Sequence, residues 1–84
     1  MQKFSVKIQI TPKKAVNDPR GTQVLNGLKN LGYYQVENVS VGKYIELSIN
    51  AENEKECESK VNEACEQLLA NPLIEEYTIK IKSI

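Results

Sequence analysis

Between residues 3 and 11 the chain alternates strictly, with Phe4, Val6, Ile8 and Ile10 apolar and Lys3, Ser5, Lys7 and Gln9 polar. Successive side chains of a strand point to opposite faces, so this pattern predicts a strand with one buried side. Pro12 ends it, having no N–H to offer a ladder. After the basic pair Lys13-Lys14, Asn17-Asp18-Pro19 opens a helix, with Asp18 at the N-cap and Pro19 at the first helical position. Val24, Leu28 and Leu31 then recur at helical spacing, Leu25 widens the stripe, and Gly32 stops the helix as a left-handed cap. Gly21 and Gly27 each weaken this helix by roughly 1 kcal/mol relative to alanine, a cost that close approach of another backbone would offset.

Residues 33–36 lead into the most informative segment. Val39, Val41, Ile45, Leu47 and Ile49 share one sequence parity across Gly42. A two-residue hairpin loop at Gly42-Lys43 would turn the valines away from the isoleucines and leucine and split the apolar face in two. A single strand over residues 37–50, bent or bulged at Gly42, keeps the face whole. Such a strand would run roughly 46 Å, longer than an ordinary one, and would need another chain to cover it.

The second helix is expected from Asn53, where Asn53-x-x-Glu56 has the form of a capping box and Glu52, Glu54 and Glu56 favour the positive helix end. Cys57, Val61, Ala64, Cys65 and Leu68 mark its buried face, and Asn71-Pro72 terminates it. The last strand, over residues 75–82, alternates through Tyr77, Ile79 and Ile81.

The expected fold is therefore α+β, in the order β-α-β-α-β. It has a ferredoxin-like antiparallel sheet, two helices on its one apolar face and a long bent middle strand used for dimerisation. The opposite face carries Lys3, Lys7, Glu46, Ser48, Thr78, Lys80 and Lys82.

With 84 residues the chain has room for a single domain, residues 1–84, and a core small enough that oligomerisation would add useful stability. Eleven basic and eleven acidic residues cancel, removing the electrostatic footprint of a nucleic-acid binder. Tyr33, Tyr34, Tyr44 and Tyr77 do not alter that reading. Tyr77 has core parity, and the first two flank a helix end rather than line an exposed basic sheet.

The amino-terminal MQKFSVKIQI lacks the apolar core of a signal peptide, and no run approaches a membrane span, so a cytoplasmic protein without membrane contact is expected. Cys57 and Cys65, eight apart on one helix, are about 12 Å from each other, too far for a disulfide. They are read as small core residues. The chain has no histidine, which removes zinc and Cys–His chemistry from consideration. Gly42-Lys43 is not a phosphate loop, because Tyr44 and a strand follow it. Asp18, Glu46 and Glu75 are too scattered to pair as acid and base. Independent catalysis is not expected, nor is any metal or cofactor bound by this chain.

Five stretches carry a family resemblance from end to end. They are Asp18-Pro19-Arg20-Gly21, Leu31-Gly32-Tyr33, Val41-Gly42-Lys43-Tyr44-Ile45-Glu46-Leu47, Cys65-Glu66-Gln67-Leu68-Leu69-Ala70-Asn71-Pro72 and Ile74-Glu75-Glu76-Tyr77. In them the chain resembles the PurS family, subunits of the phosphoribosylformylglycinamidine (FGAM) synthase of purine biosynthesis. Ser40 stands where the family usually has arginine, and Gln67 where lysine is common.

The resemblance implies a non-catalytic subunit of an ATP- and glutamine-dependent ligase. It would form a homodimer or tetramer and bridge a glutaminase, PurQ, to a synthetase, PurL, so that ammonia passes between them. ATP and magnesium would belong to the synthetase. Lys43 and Tyr44 are the first candidates for partner contact, since they interrupt the buried pattern in the best-matched segment, and Arg20 is the third. The alternative is a ferredoxin-like regulatory module that binds a small effector at a dimer interface, with residues 12–17 as the ligand loop.

Overall fold

The computed structural model describes residues 1–14 and 18–84. The elements run β1 (Gln2–Pro12), α1 (Pro19–Asn30), β2 (Lys43–Ala51), α2 (Glu54–Ala64), a π-helical turn (Cys65–Leu69) and β3 (Glu75–Ser83). This is the expected α+β order. The sheet has the order β2-β1-β3 with both pairings antiparallel.

The register follows from the alternation. Phe4, Val6 and Ile8 stand opposite Ile49, Leu47 and Ile45 on β2, while Val6, Ile8 and Ile10 face Ile81, Ile79 and Tyr77 on β3. All the apolar side chains thus share one face. On β1 they are fully buried, together with Ala51, Cys57, Val61, Cys65 and Ala70. The two outer strands contribute half-buried residues that pack against this core.

Three features differ from the sequence expectation. First, the middle strand begins at Lys43 rather than Glu37. Its pairing with β1 stops at Ile10 opposite Lys43, and β1 itself ends at Pro12, so residues 37–42 take no part in the ladder within one chain. No hairpin closes at Gly42-Lys43, and Ile45, Leu47 and Ile49 keep their common face.

Second, α2 and its π-helical turn cover the apolar face, while α1 buries only Gly21 and packs extensively on no strand. The cause is topological. Antiparallel neighbours β1 and β2 are joined at the same end of the sheet, so the connection that holds α1 projects beyond that end. The chain is correspondingly long, 52 × 26 × 14 Å, with a radius of gyration of 16.5 Å, against about 12 Å for a compact domain of this length.

Third, α2 passes into a π-turn, closed by Ala70 N–H donating to the Cys65 carbonyl at 2.9 Å. The wider turn rotates the following residues, leaving Leu68 82% exposed and bringing Leu69 and Ala70 towards the core instead.

Candidate functional site

Where β1 ends and β2 and β3 begin, three chain segments meet the start of α1. Asp18 organises the junction. One carboxylate oxygen accepts from the Gly21 N–H at 3.1 Å, capping α1, and the other accepts from the Val41 N–H at 3.2 Å. These two bonds fix the helix start to the segment that enters β2. They also hold the Asp18 carboxyl below its ordinary value, the bond from Gly21 contributing most. Gly21 is required there, because a Cβ would run into the Val39 carbonyl oxygen and the Asp18 carboxylate. Gly42 is equally constrained, its Cβ position lying on the Ile10 carbonyl oxygen.

Lys43 shares the face of Ile45, Leu47 and Ile49, as its parity requires, and stands opposite Ile10 at the end of the core. Its ammonium donates to the Leu69 carbonyl at 3.3 Å and lies 3.8 Å from a Glu75 oxygen. With the Lys43 side chain about half exposed (48%), that pair is worth little in stability. Glu75 also accepts from the Asn71 N–H at 2.7 Å, tying down the turn before β3.

Arg20, Lys43, Asp18 and Glu75 line one open cleft of about 240 Å³, with Pro12 and Ile74 among its walls. Arg20 and Lys43, both singled out from the sequence, are thus brought together. Tyr44 is not. It lies on the opposite face of the sheet, where its hydroxyl donates to Glu46 at 2.8 Å and its pKa is raised, chiefly by that bond. Leu68, within the π-turn, and Leu73, in the segment between that turn and β3, are both strongly exposed.

Sequence reasoning treated Asp18 and Glu75 as unrelated acids, and the structure places both in this cleft. Each is already engaged, Asp18 by backbone N–H groups and Glu75 by Lys43 and Asn71. Glu46 is on the other face, as its register shows. The N-cap role of Asp18 was legible; its bond to Val41, 23 residues away, has no local sequence signal.

None of the described residues that line the cleft pairs a nucleophile with a base, and Arg20 and Lys43 stand against Asp18 and Glu75. Among the described residues no group of His, Cys, Asp and Glu is placed to hold a metal ion, and no helix is long and apolar enough to cross a membrane. Residues 15–17, part of the ligand loop in the effector reading, lie outside the described residues. The cysteines are buried free thiols, their pKa values raised by burial first and by neighbouring Glu54 and Glu66 second.

Comparison with known proteins agrees over nearly the whole chain. Residues 5–83 match the family described as "PurS: Phosphoribosylformylglycinamidine (FGAM) synthase". The chain is 41% identical over 81 residues to the PurS subunit of Synechocystis, covering 96% of this chain and 81% of that one. It is 36% identical over 81 residues to PurS of Bacillus subtilis, covering 96% and 95%. Among solved structures, B. subtilis PurS superposes with a TM-score of 0.86 at 37% identity, over 94% of this chain and 98% of that one. A chain in the structure of PurLQS from Thermotoga maritima matches with a TM-score of 0.83 at 33% identity, over 100% of both chains.

Proposed function

The chain belongs to the PurS family of FGAM synthase subunits, and from that membership we propose that it is the non-catalytic subunit joining a PurQ glutaminase to a PurL synthetase. In this reading residues 1–84 form one PurS-like domain acting in the cytoplasm. The glutaminase releases ammonia from glutamine. The synthetase, carrying ATP and magnesium, uses that ammonia to convert formylglycinamide ribonucleotide to the amidine. This chain holds the two together so that ammonia does not escape to bulk water.

The observation that carries the proposal is the end-to-end match to a chain in PurLQS of T. maritima, whose name combines the three subunits. The absence of histidine from the sequence is consistent with it, since histidine is the side chain that most often serves as a general base. The chain works as a homodimer or tetramer, with residues 37–42, which lack a ladder partner in one chain, pairing with a second copy.

Arg20 and Lys43 in the junction cleft, and Tyr44 behind it, are the contact residues. The test is co-sedimentation of the chain with its cognate glutaminase and synthetase. The native chain should bring both into one complex, and replacing Lys43 and Tyr44 together by alanine should weaken that complex roughly tenfold or more while leaving the circular dichroism spectrum unchanged. A native chain that binds neither protein would overturn the proposal. Native-strength binding by the double variant would remove Lys43 and Tyr44 from the contact.

A further inference from the structure

The face of the sheet turned away from α2 concentrates positive charge. Lys3 and Lys7 on β1, and Lys80 and Lys82 on β3, alternate with the buried positions and are all exposed. The register sets them together. Lys7 stands directly opposite Lys80, and Lys82 stands opposite Ser5, which lies between Lys3 and Lys7 along β1. Opposed residues of an antiparallel pair have Cα atoms roughly 4.5–5.5 Å apart, and Lys3 and Lys7 are about 13 Å apart along their strand. Four ammonium groups therefore share one strip around Ser5, with Ser48 beside it on β2.

Two carboxylates flank the strip on the same face, and neither neutralises it. Glu46 stands opposite Lys7 on β2, but its carboxylate accepts from the Tyr44 hydroxyl. Glu76 stands opposite Thr11, four residues away from Lys80. Among the described residues the one ion pair within 4 Å is that of Lys43 with Glu75, so all four lysines of the strip lack a carboxylate partner. Like charges directly opposite each other on a sheet are destabilising. The Lys7–Lys80 pair is thus a cost to the free chain that nothing in the chain offsets.

An open sheet face does not enclose a small molecule, whereas a charged strip of this width suits a macromolecular surface of opposite sign. It also adjoins a residue already named for partner contact: the row of Tyr44, Gln9 and Thr78 lies next to that of Glu46, Lys7 and Lys80. We propose that the lysine strip docks an acidic protein surface, a group of carboxylates carried by one of the two enzymes that the chain joins. This rests on the bridging role proposed above and names the chemistry of one of its contacts. Carboxylates from the partner relieve the Lys7–Lys80 repulsion, so the strip speeds and orients assembly at the expense of the free chain.

The test follows association of the chain with its cognate glutaminase and synthetase, singly and together, by stopped flow at about 50 mM and about 500 mM salt. The native chain should associate roughly tenfold faster at the lower salt, and the double variant Lys7→Glu with Lys80→Glu should lose most of that difference. Lys80→Glu alone places opposite charges across the strand pair. It should raise Tm by roughly 1–5 °C at fixed protein concentration while slowing assembly, a combination that a damaged fold would not produce. Equal rates and equal salt dependence in the native chain and the double variant would overturn the docking surface and leave the bridging role standing. A double variant that changes only self-association in sedimentation would assign the strip to a second copy, and native binding to a single-stranded RNA more tightly than to either enzyme would assign it to nucleic acid. Either result would overturn the proposal. A native chain that associates with neither enzyme would overturn the bridging role as well.

Discussion

Gly21 and Gly27 belong to one helix and have opposite surroundings. By helix propensity alone, alanine at either site should stabilise α1 by about 0.5–1 kcal/mol. At Gly27 a Cβ meets nothing of its own chain within 4 Å, so that gain should be realised. Hydrogen exchange of the α1 amides in dilute solution should slow roughly two- to fivefold in Gly27→Ala. At Gly21 the same Cβ strikes the Val39 carbonyl oxygen and the Asp18 carboxylate. Gly21→Ala should therefore accelerate exchange across the first turn of α1 and at Val41. Slower exchange in Gly21→Ala would contradict the close approach on which the junction depends. The sequence made both glycines conspicuous as helix breakers, but it could not tell the crowded one from the open one. That distinction depends on a carbonyl 18 residues further along the chain.

At the scale of elements, alternation and caps were the legible part. Asp18 at the N-cap, Pro19 at the first position and Gly32 with positive φ bound α1 where expected, with Gly32 and Tyr33 N–H groups donating to the Lys29 and Leu28 carbonyls. The three strands fall on their alternating runs for the same reason: each buries one face only. What periodicity could not convey was company. A helical stripe looks the same whether its own sheet or another chain covers it, so α1 read as a helix lying on the sheet. Residues 37–42 likewise carry strand parity without a strand to pair with. Leu68 kept its place in the expected face until the π-turn rotated it outwards.

The junction itself depends on one titratable group. The folded Asp18 carboxyl is held below the ordinary value of 3.8 by its backbone hydrogen bonds. Its contribution is therefore complete above that ordinary value and is lost as pH falls through the lower, folded one. The amide resonances of Gly21 and Val41 should titrate together, with one apparent value below 3.8. Asp18→Asn should abolish that shared transition. Amides that move separately, or near the ordinary carboxyl value, would contradict a single latch joining α1 to β2.

For the whole molecule, the long shape is what the proposed role as one part of a larger assembly leads one to expect. One sheet carries one helix of its own, while a second helix stands beyond the sheet end with its apolar stripe half open. In the proposed reading such a chain gains stability by association with its partners. The family was legible as a pattern of matched stretches, whereas the spatial arrangement of Arg20, Lys43 and Tyr44 within them was not. The sheet divides Tyr44 from the other two. The most direct measurement is glutamine-dependent amidination of formylglycinamide ribonucleotide by the cognate glutaminase and synthetase, with and without this chain. The account predicts that synthesis from glutamine requires the chain, that the chain alone neither hydrolyses glutamine nor consumes ATP, and that high free ammonia partly bypasses the need for it. Glutamine-dependent synthesis that proceeds equally well when the chain is left out would contradict the account.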